Sequence, residues 1–394
     1  MQMTRNRKLV AVSISLLWFA QYVYIPFQTP FLESLDASAA YIGVVVGAYG
    51  VTQTLLRIPL GIVGDRYRRH KTFMVLGIAC SALASAVRLA SPTPEGMLVG
   101  NMLSGVASTS WISFTVYYSS LFRPDEMTKA MGYSMAASNI GILSAFILGT
   151  YLHQSGEMPP LFIASIASGT AGVLVALSIR EDKPALLTQA PPRLSRVIRS
   201  RRLWYYAVLA LILQAIVIST SLAFTASYLK QFTDSDLMLG VSASVFIGCS
   251  ALSGLAVGHI RRVGSHTLLM LLFGLLLAYC VLMPLCREVW QIVALQGLSG
   301  LGSGAGMSAL MALAMQGTDV RARSTAMGFF QAMFGVGMTL GPVLMGALIQ
   351  WSKGYHLGYW TLGAFAFIGI AAFRFPPKPA ADTPAPECAL PKAP

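Results

Sequence analysis

Twelve apolar runs, each long enough to cross a lipid bilayer as a helix, dominate this sequence of 394 residues. A helix needs about 20 apolar residues to span the hydrocarbon core. Because hydrocarbon offers no hydrogen-bond partner to an exposed strand edge, each run is predicted to be helical. The predicted spans are residues 9–27, 40–62, 72–90, 96–118, 129–152, 159–179, 203–227, 237–258, 266–285, 289–315, 326–350 and 358–373.

The composition indicates an integral membrane protein. Only 11% of the residues are charged and 55% are hydrophobic, whereas soluble domains carry about 25% charged residues. The net charge of +13 could suggest a nucleic-acid partner, but the basic residues lie in short segments between apolar runs, as membrane orientation requires. We therefore expect the lipid bilayer, and no nucleic acid, as a partner. The first run is long enough to span, so it is interpreted as the first helix and not as a signal peptide.

The residues that usually carry chemistry are sparse and scattered. The five cysteines form neither a CxxC pair nor a Cys/His cluster, so we expect no metal, no cofactor and no enzymatic activity. All fifteen acidic residues fall in loops, tails or span ends, although intramembrane carboxylates are the usual proton carriers. Glu33, at the outer mouth of the first span, is the nearest candidate for proton coupling.

The basic residues indicate how the chain crosses the membrane. Of the 28 Lys and Arg residues, only Lys230, Arg287 and Lys353 fall in outer loops if the N-terminus is cytoplasmic. Arg57 and Arg88 lie within spans, which leaves 23 on the inner side. This asymmetry follows the positive-inside rule. It predicts cytoplasmic N- and C-termini in the inner or plasma membrane.

One long inner segment divides the spans into two groups of six. We predict an N-terminal bundle over residues 1–179, a linker over 180–202, a C-terminal bundle over 203–375 and a disordered cytoplasmic tail over 376–394. The linker contains a basic amphipathic stretch that we expect to lie on anionic lipid. The sequence Ala-Met-Gly at 130–132 recurs at 326–328, which favours an internal duplication.

The loop after the second span carries the densest charge in the first half of the chain. It contains Gly61, Asp65, Arg66 and Arg69 in the spacing G-x-x-x-D-R-x-G-R/K-R/K, with Arg68 and His70 as departures. Together with twelve spans split six and six, this pattern resembles the major facilitator superfamily. The resemblance implies two pseudo-symmetric six-helix bundles that transport a solute by alternating access, in a bacterial exporter-like chain of twelve spans.

The same loop suggests a gating contact on the cytoplasmic side. Gly61 and Gly64 let helices approach closely. Asp65 is expected to meet the N-terminus of the eleventh span, where the helix dipole is positive. The resemblance implies that this contact favours the outward-open state. The arginines of the loop are explained in part by membrane orientation alone.

A second family pattern lies in the eleventh span. Gly337, Gly341 and Pro342 resemble the G-x-x-x-G-P-x-x-G-G motif of antiporters. In exporters of this superfamily that motif belongs to the fifth span. Exporters also often carry an arginine in the fourth span that is linked to proton coupling, and the fourth span here lacks it. The structural interpretation is a thin, bendable helix packed against a neighbour.

Several spans carry polar stripes at helical spacing. By resemblance, the first, fourth, seventh and tenth spans border a central cavity. The candidate cavity residues are Trp18, Gln21, Tyr22, Gln53, Arg57, Asn101, Ser108, Trp111, Gln214, Gln296, Ser299 and Ser303. Arg57 is predicted to reach the inner interface and Arg88 the outer one. If Arg57 instead faces the cavity, an anionic group on the substrate becomes attractive.

These features predict a monomeric transporter of a small organic solute. Neutral hydrogen-bonding, aromatic and methionine side chains suit an amphipathic or aromatic solute, and efflux is preferred. Two alternatives stay open: metabolite uptake or facilitated diffusion without ion coupling, and a flippase for a lipid-linked substrate.

Overall fold

The computed structural model describes residues 2–67, 69–123, 126–180, 199–257, 264–316, 318 and 323–374. These residues form helices joined by short connections and contain no β-strand. The first half comprises α1 (Gln2–Tyr22), α2 (Ile25–Ser34), α3 (Ala39–Tyr67), α4 (His70–Ala90), α5 (Pro94–Thr109), α6 (Trp111–Ser120), α7 (Met127–Leu152) and α8 (Pro159–Leu177). The second half comprises α9 (Arg201–Ser219), α10 (Thr225–Lys230), α11 (Asp236–Val257), α12 (Ser265–Leu282), α13 (Val289–Met315), α14 (Arg323–Ser352) and α15 (His356–Ala372).

Each predicted span coincides with a helix or with consecutive helices, which confirms the all-helical twelve-span fold. Ten segments of the described residues are long and apolar enough to cross a membrane. The remaining two spans are the fourth, which is divided between α5 and α6, and the twelfth, which is the shorter apolar helix α15. Residues 181–198 of the predicted linker, and all of the predicted tail over 376–394, lie outside the described residues.

Three spans are interrupted, and each interruption has a local cause. The first span breaks before Pro26, which has no N–H to continue the hydrogen-bond ladder of α1. The fourth breaks at Ser110, whose hydroxyl donates to the carbonyl of Ala107 at 2.7 Å and so competes with the backbone. The seventh widens into a π-turn over Thr220–Phe224, a distortion that often marks functional sites. Helix α2, which follows the break in the first span, contacts the π-turn of the seventh span.

The two halves meet along α3 and α14, which correspond to the second and eleventh spans. A Cβ atom at Gly43 would overlap the carbonyl of Pro342, and one at Gly50 would overlap Thr339. Small residues at these positions let the two backbones approach closely, which is how helices gain packing energy in lipid. A second contact joins α7 to α11, where Gly240 lies against Thr150. The spaces between these two contacts contain the candidate site.

Candidate functional site

A cavity of about 50 Å³ lies between the halves. Its wall is aromatic, aliphatic or neutral and hydrogen-bonding, and consists of Gln21, Tyr22, Tyr24, Ile25, Gln28, Val46, Tyr49, Asn101, Ile218 and Leu222. Sites for drug-sized ligands usually measure about 300–1,000 Å³. The cavity therefore has to widen before it can admit an organic solute.

The first span supplies much of the wall. Gln21 donates from Nε2 to the carbonyl of Ser104 at 2.9 Å, which fixes its amide against the fourth span. Tyr22 faces the cavity, and the ring of Trp18 packs against it with centroids 5.6 Å apart. Trp18 also meets Trp111 edge to face at 5.5 Å. The two predicted tryptophans therefore lie behind the wall and support Tyr22.

Arg57 is buried between the halves, with only 3% of its surface exposed. Its Nη1 donates to the carbonyl of Gln331 on α14 at 3.0 Å, and its guanidinium lies 4.6 Å from the ring centroid of Phe334. The expectation that Arg57 reaches the inner interface is wrong, because these partners hold the side chain inside the protein. One turn earlier, Gln53 donates to the hydroxyl of Ser108 and so joins the second span to the fourth.

Arg88 is fully buried, at 0% exposure. Its Nη2 donates to Asn101 Oδ1 at 2.8 Å and to Ser104 Oγ at 2.7 Å, and its guanidinium lies 4.3 Å from the ring centroid of Tyr24. The expectation that Arg88 reaches the outer interface is therefore wrong. Gly100 makes room for the inward course of the side chain, because a Cβ there would overlap the Arg88 Cγ and Nε atoms.

The predicted residues of the second half lie elsewhere. Gln296 donates to the carbonyl of Ser221 at 3.0 Å, and Ser299 shares a 2.7 Å hydrogen bond with the Ser221 hydroxyl. Gln296 and Ser221 border a separate, water-sized space of about 10 Å³. Ser303 bonds to a carbonyl of its own helix, and Gln214 is absent from the main wall. The seventh span instead contributes aliphatic side chains to that wall.

Helical spacing did not identify several residues of the wall. Tyr24, Ile25 and Gln28 face the cavity because α2 starts afresh after the break before Pro26. Pro26 could have indicated these wall residues, because a break in a helix changes which face the following residues turn toward the cavity. The side chain of Gln28 is buried, and its Oε1 atom has no hydrogen-bond partner.

Known proteins agree with this architecture. The sequence profile described as Major Facilitator Superfamily matches residues 10–287 and 231–393. The chain belongs to the major facilitator superfamily. This confirms the resemblance predicted from the loop after the second span. Members of the superfamily are membrane transporters and not enzymes.

Relatives within the superfamily include transporters that are named for efflux. The multi-drug resistance efflux pump PmrA of Streptococcus pneumoniae is 21% identical over 370 residues, which cover 89% of this chain and 92% of PmrA. The inner membrane transport protein YajR of Escherichia coli is 29% identical over 164 residues, or 41% of this chain. In that comparison the chain spans only 36% of the length of YajR.

Solved structures show the same superfamily fold. The nucleoside transporter NupG superimposes with a TM-score of 0.75 at 17% identity, over 95% of this chain and 98% of NupG. The human organic anion transporter MFSD10 superimposes with a TM-score of 0.70 at 16% identity, over 95% of this chain and all of its own. At these identities the likeness concerns the fold alone.

The two halves are in contact at the ends of the spans that the sequence predicts to be outer, which are called the outer ends. The backbone N–H of Ala40 donates to Gln350 Oε1 at 3.2 Å. The Tyr355 hydroxyl donates to Glu33 Oε1 at 3.5 Å. Burial and the nearby Glu33 carboxylate raise the pKa of Tyr355, so the hydroxyl keeps its proton and stays a donor.

A second outer contact lies across α7 and α11. His153 Nε2 is 3.7 Å from Asp236 Oδ2, and Asp236 also accepts from Lys230 Nζ at 2.7 Å. His153 stacks on Phe27 with ring centroids 4.1 Å apart. Both pairs of facing helices are therefore joined at the outer surface, which closes the cavity on that side.

The motif residues fall into two groups. Helix α3 continues through the predicted cytoplasmic loop to Tyr67, but the side-chain positions of Gly61, Gly64, Asp65 and Arg66 lie outside the described part of the chain. Arg69 directly precedes α4 and is exposed.

In the eleventh span, Gly337 and Gly341 pack against the backbone of α9, while Pro342 faces Gly43. Helix α14 is therefore held between the seventh span of its own half and the second span of the other half. This arrangement matches the thin, closely packed helix that the motif predicts.

Proposed function

We propose that this chain exports a small amphipathic organic compound by alternating access. The observation that carries the proposal is the wall of the central cavity, where tyrosines and aliphatic side chains surround a few neutral hydrogen-bonding groups. Such a wall suits a compound with a large apolar part and a small polar part. The direction is supported by PmrA, a relative named as an efflux pump that aligns over most of both chains.

The contacts between the halves supply the moving parts of this mechanism. Residues 1–179 and 203–375 act as two bodies that rock about the cavity, joined by the linker 180–202. Solute enters from the cytoplasmic side while the outer contacts hold, and it leaves outward after they separate. The chain works as a monomer, because the cavity lies between two halves of one chain. Both termini stay in the cytoplasm.

Accumulation of amphipathic dyes tests this function. The full-length chain is expressed in a host that lacks its major efflux pumps, and cells are loaded with anionic, neutral and cationic fluorescent compounds. We expect lower accumulation of at least one class than in cells with the empty vector. Gln21→Leu, which removes a hydrogen-bonding group from the wall, should raise accumulation again. Equal accumulation of every class with and without the protein would contradict export of such compounds.

A further inference from the structure

Two arginines lie inside the helical bundle without a carboxylate partner in the described part of the chain. Arg88 is 0% exposed and Arg57 is 3% exposed. Two ion pairs between described residues lie at the outer surface around Asp236, and neither involves these arginines. Arg57 Nε and both Nε and Nη1 of Arg88 have no hydrogen-bond acceptor. A buried charge without a counter-charge is costly, and in membrane spans such residues usually mark a pathway for a substrate or an ion.

Arg88 stands directly behind one part of the cavity wall. Its guanidinium donates to Asn101 and lies over the ring of Tyr24, and both of these residues line the cavity. Asn101 is itself held in place, since its Nδ2 donates to the carbonyl of Val45 at 2.8 Å. The positive charge of Arg88 is thus separated from the cavity by one layer of neutral side chains.

Arg57 belongs to a helix that contributes another part of the same wall, α3. It lies on α3 about two turns from Tyr49, which lines the cavity. Its only described hydrogen bond goes to a backbone carbonyl of α14. Two buried positive charges therefore lie in helices that border the cavity, and Arg88 contacts two of its wall residues. No residue of that wall carries a compensating negative charge.

The part of the wall that belongs to the second half differs in character. Ile218 and Leu222, from the seventh span, present aliphatic side chains to the cavity. A solute in the cavity thus meets positive charge from the first half and an apolar surface from the second. The geometry points to an organic anion as the substrate class: its acidic group is attracted by Arg57 and Arg88, and its apolar part packs on Ile218 and Leu222. This inference rests on the proposed transport function and names the substrate class of the same cavity.

A thermal-shift experiment on the purified full-length protein tests the charge requirement directly. The probes are benzoate, indole-3-acetate and octanoate, each compared with its neutral primary amide at the same concentration. We expect at least one acid to raise Tm while its amide leaves Tm unchanged. Arg57→Gln and Arg88→Gln should each abolish the difference between acid and amide.

Arg7→Gln is the matched control. It removes the same charge from the first half, but Arg7 lies at the cytoplasmic end of α1, where its Nε donates to the carbonyl of Leu121. This variant should keep the full acid-specific shift. If a glutamine variant does not fold, Arg57→Lys or Arg88→Lys replaces it. Lysine keeps the charge without the planar fork of donors, so a reduced but measurable preference for the acid is expected.

Three results would overturn the inference: equal shifts by acid and amide, an acid-specific shift that survives in both glutamine variants, or no shift with any acid. Dye accumulation separates this failure from failure of the proposed function. Export of neutral or cationic dyes alone, unchanged by Arg88→Gln, would refute the anion site and leave export intact. Arginine-dependent binding of an acid without export of any dye would refute export and leave the anion site intact.

Discussion

The inward position of Arg88 depends on the missing side chain at Gly100. A Cβ atom there would lie 2.6 Å from both Cγ and Nε of the arginine. We expect Gly100→Ala to force the guanidinium away from Asn101 and Ser104, at a cost typical of an overpacked core, about 1–3 kcal/mol. The measurement is Tm of the purified protein, which should fall, together with the acid-specific Tm shift, which should weaken.

Gly132→Ala is the control for this change. Gly132 also lies inside a helix, and a Cβ there would meet no atom within 4 Å. Alanine is favoured over glycine in a helix by about 0.5–1 kcal/mol, so this variant should have an unchanged or slightly higher Tm. If both alanine variants behave alike, the space at Gly100 does not determine the position of Arg88.

The two arginines also show what single residues in a sequence do not reveal. The sequence placed Arg57 and Arg88 inside apolar runs, but from depth alone it predicted that both reach an interface. Asn101 and Ser104 lie on one face of their helix, so a polar surface was visible. The sequence does not show which helix faces that surface, because this depends on tertiary packing. Arg88 on α4 can donate to Asn101 and Ser104 on α5 only when the two helices are in contact.

Asp65 is the motif residue that membrane orientation does not explain. A carboxylate near the N-terminus of a helix contributes about 0.3–1 kcal/mol through the helix dipole. We expect Asp65→Asn to lower export severalfold while the protein inserts at the normal level, because the contact between the halves on the cytoplasmic side is lost. Dye accumulation and membrane abundance are measured together. The control is Glu95→Gln, which neutralises an acid in the first turn of α5 and should export normally. Export at the wild-type level by Asp65→Asn would show that Asp65 makes no gating contact.

At the scale of helices, the close approach of α3 and α14 holds the outer ends together. Gly43→Val would place a branched side chain against the backbone at Pro342. We expect strain of about 1–3 kcal/mol, enough to lower the population of the outward-closed state by roughly tenfold, and a corresponding loss of export. Gly248→Val, at a position in α11 where a Cβ meets no atom within 4 Å, should export normally. Equal export by the two variants would show that this contact does not limit transport.

The helices themselves could be predicted, because an apolar run of fixed length has few alternatives in a bilayer. The cavity wall could be predicted only in part. Gln21, Tyr22 and Asn101 follow from a straight helix with polar spacing, and the structure places all three on the wall. Tyr24 and Leu222 could not be found in this way, since Tyr24 lies in the break after α1 and Leu222 lies in the π-turn. A hydropathy pattern assumes a continuous helix and does not report such interruptions.

At the scale of the whole molecule, the proposed mechanism makes the described structure one state of a cycle. The outer contacts are formed and the cavity is too small for an organic solute, so the proposed export requires the outer ends of the two halves to separate. Ala40 and Gln350 belong to different halves, are accessible at the outer surface and share a hydrogen bond. A covalent bridge between these positions would hold the outer side closed without changing the cavity.

The double variant Ala40→Cys, Gln350→Cys is treated with a short thiol-reactive cross-linker that a reductant can cleave. We expect export to stop after cross-linking and to recover after reduction. The acid-specific Tm shift should persist in the cross-linked protein if solute enters from the cytoplasmic side. Each single cysteine variant, treated with the same reagent, controls for reaction with Cys80, Cys249, Cys280, Cys286 and Cys388. Undiminished export by the cross-linked protein would mean that solute leaves without separation of the outer ends, and alternating access between the halves would be wrong.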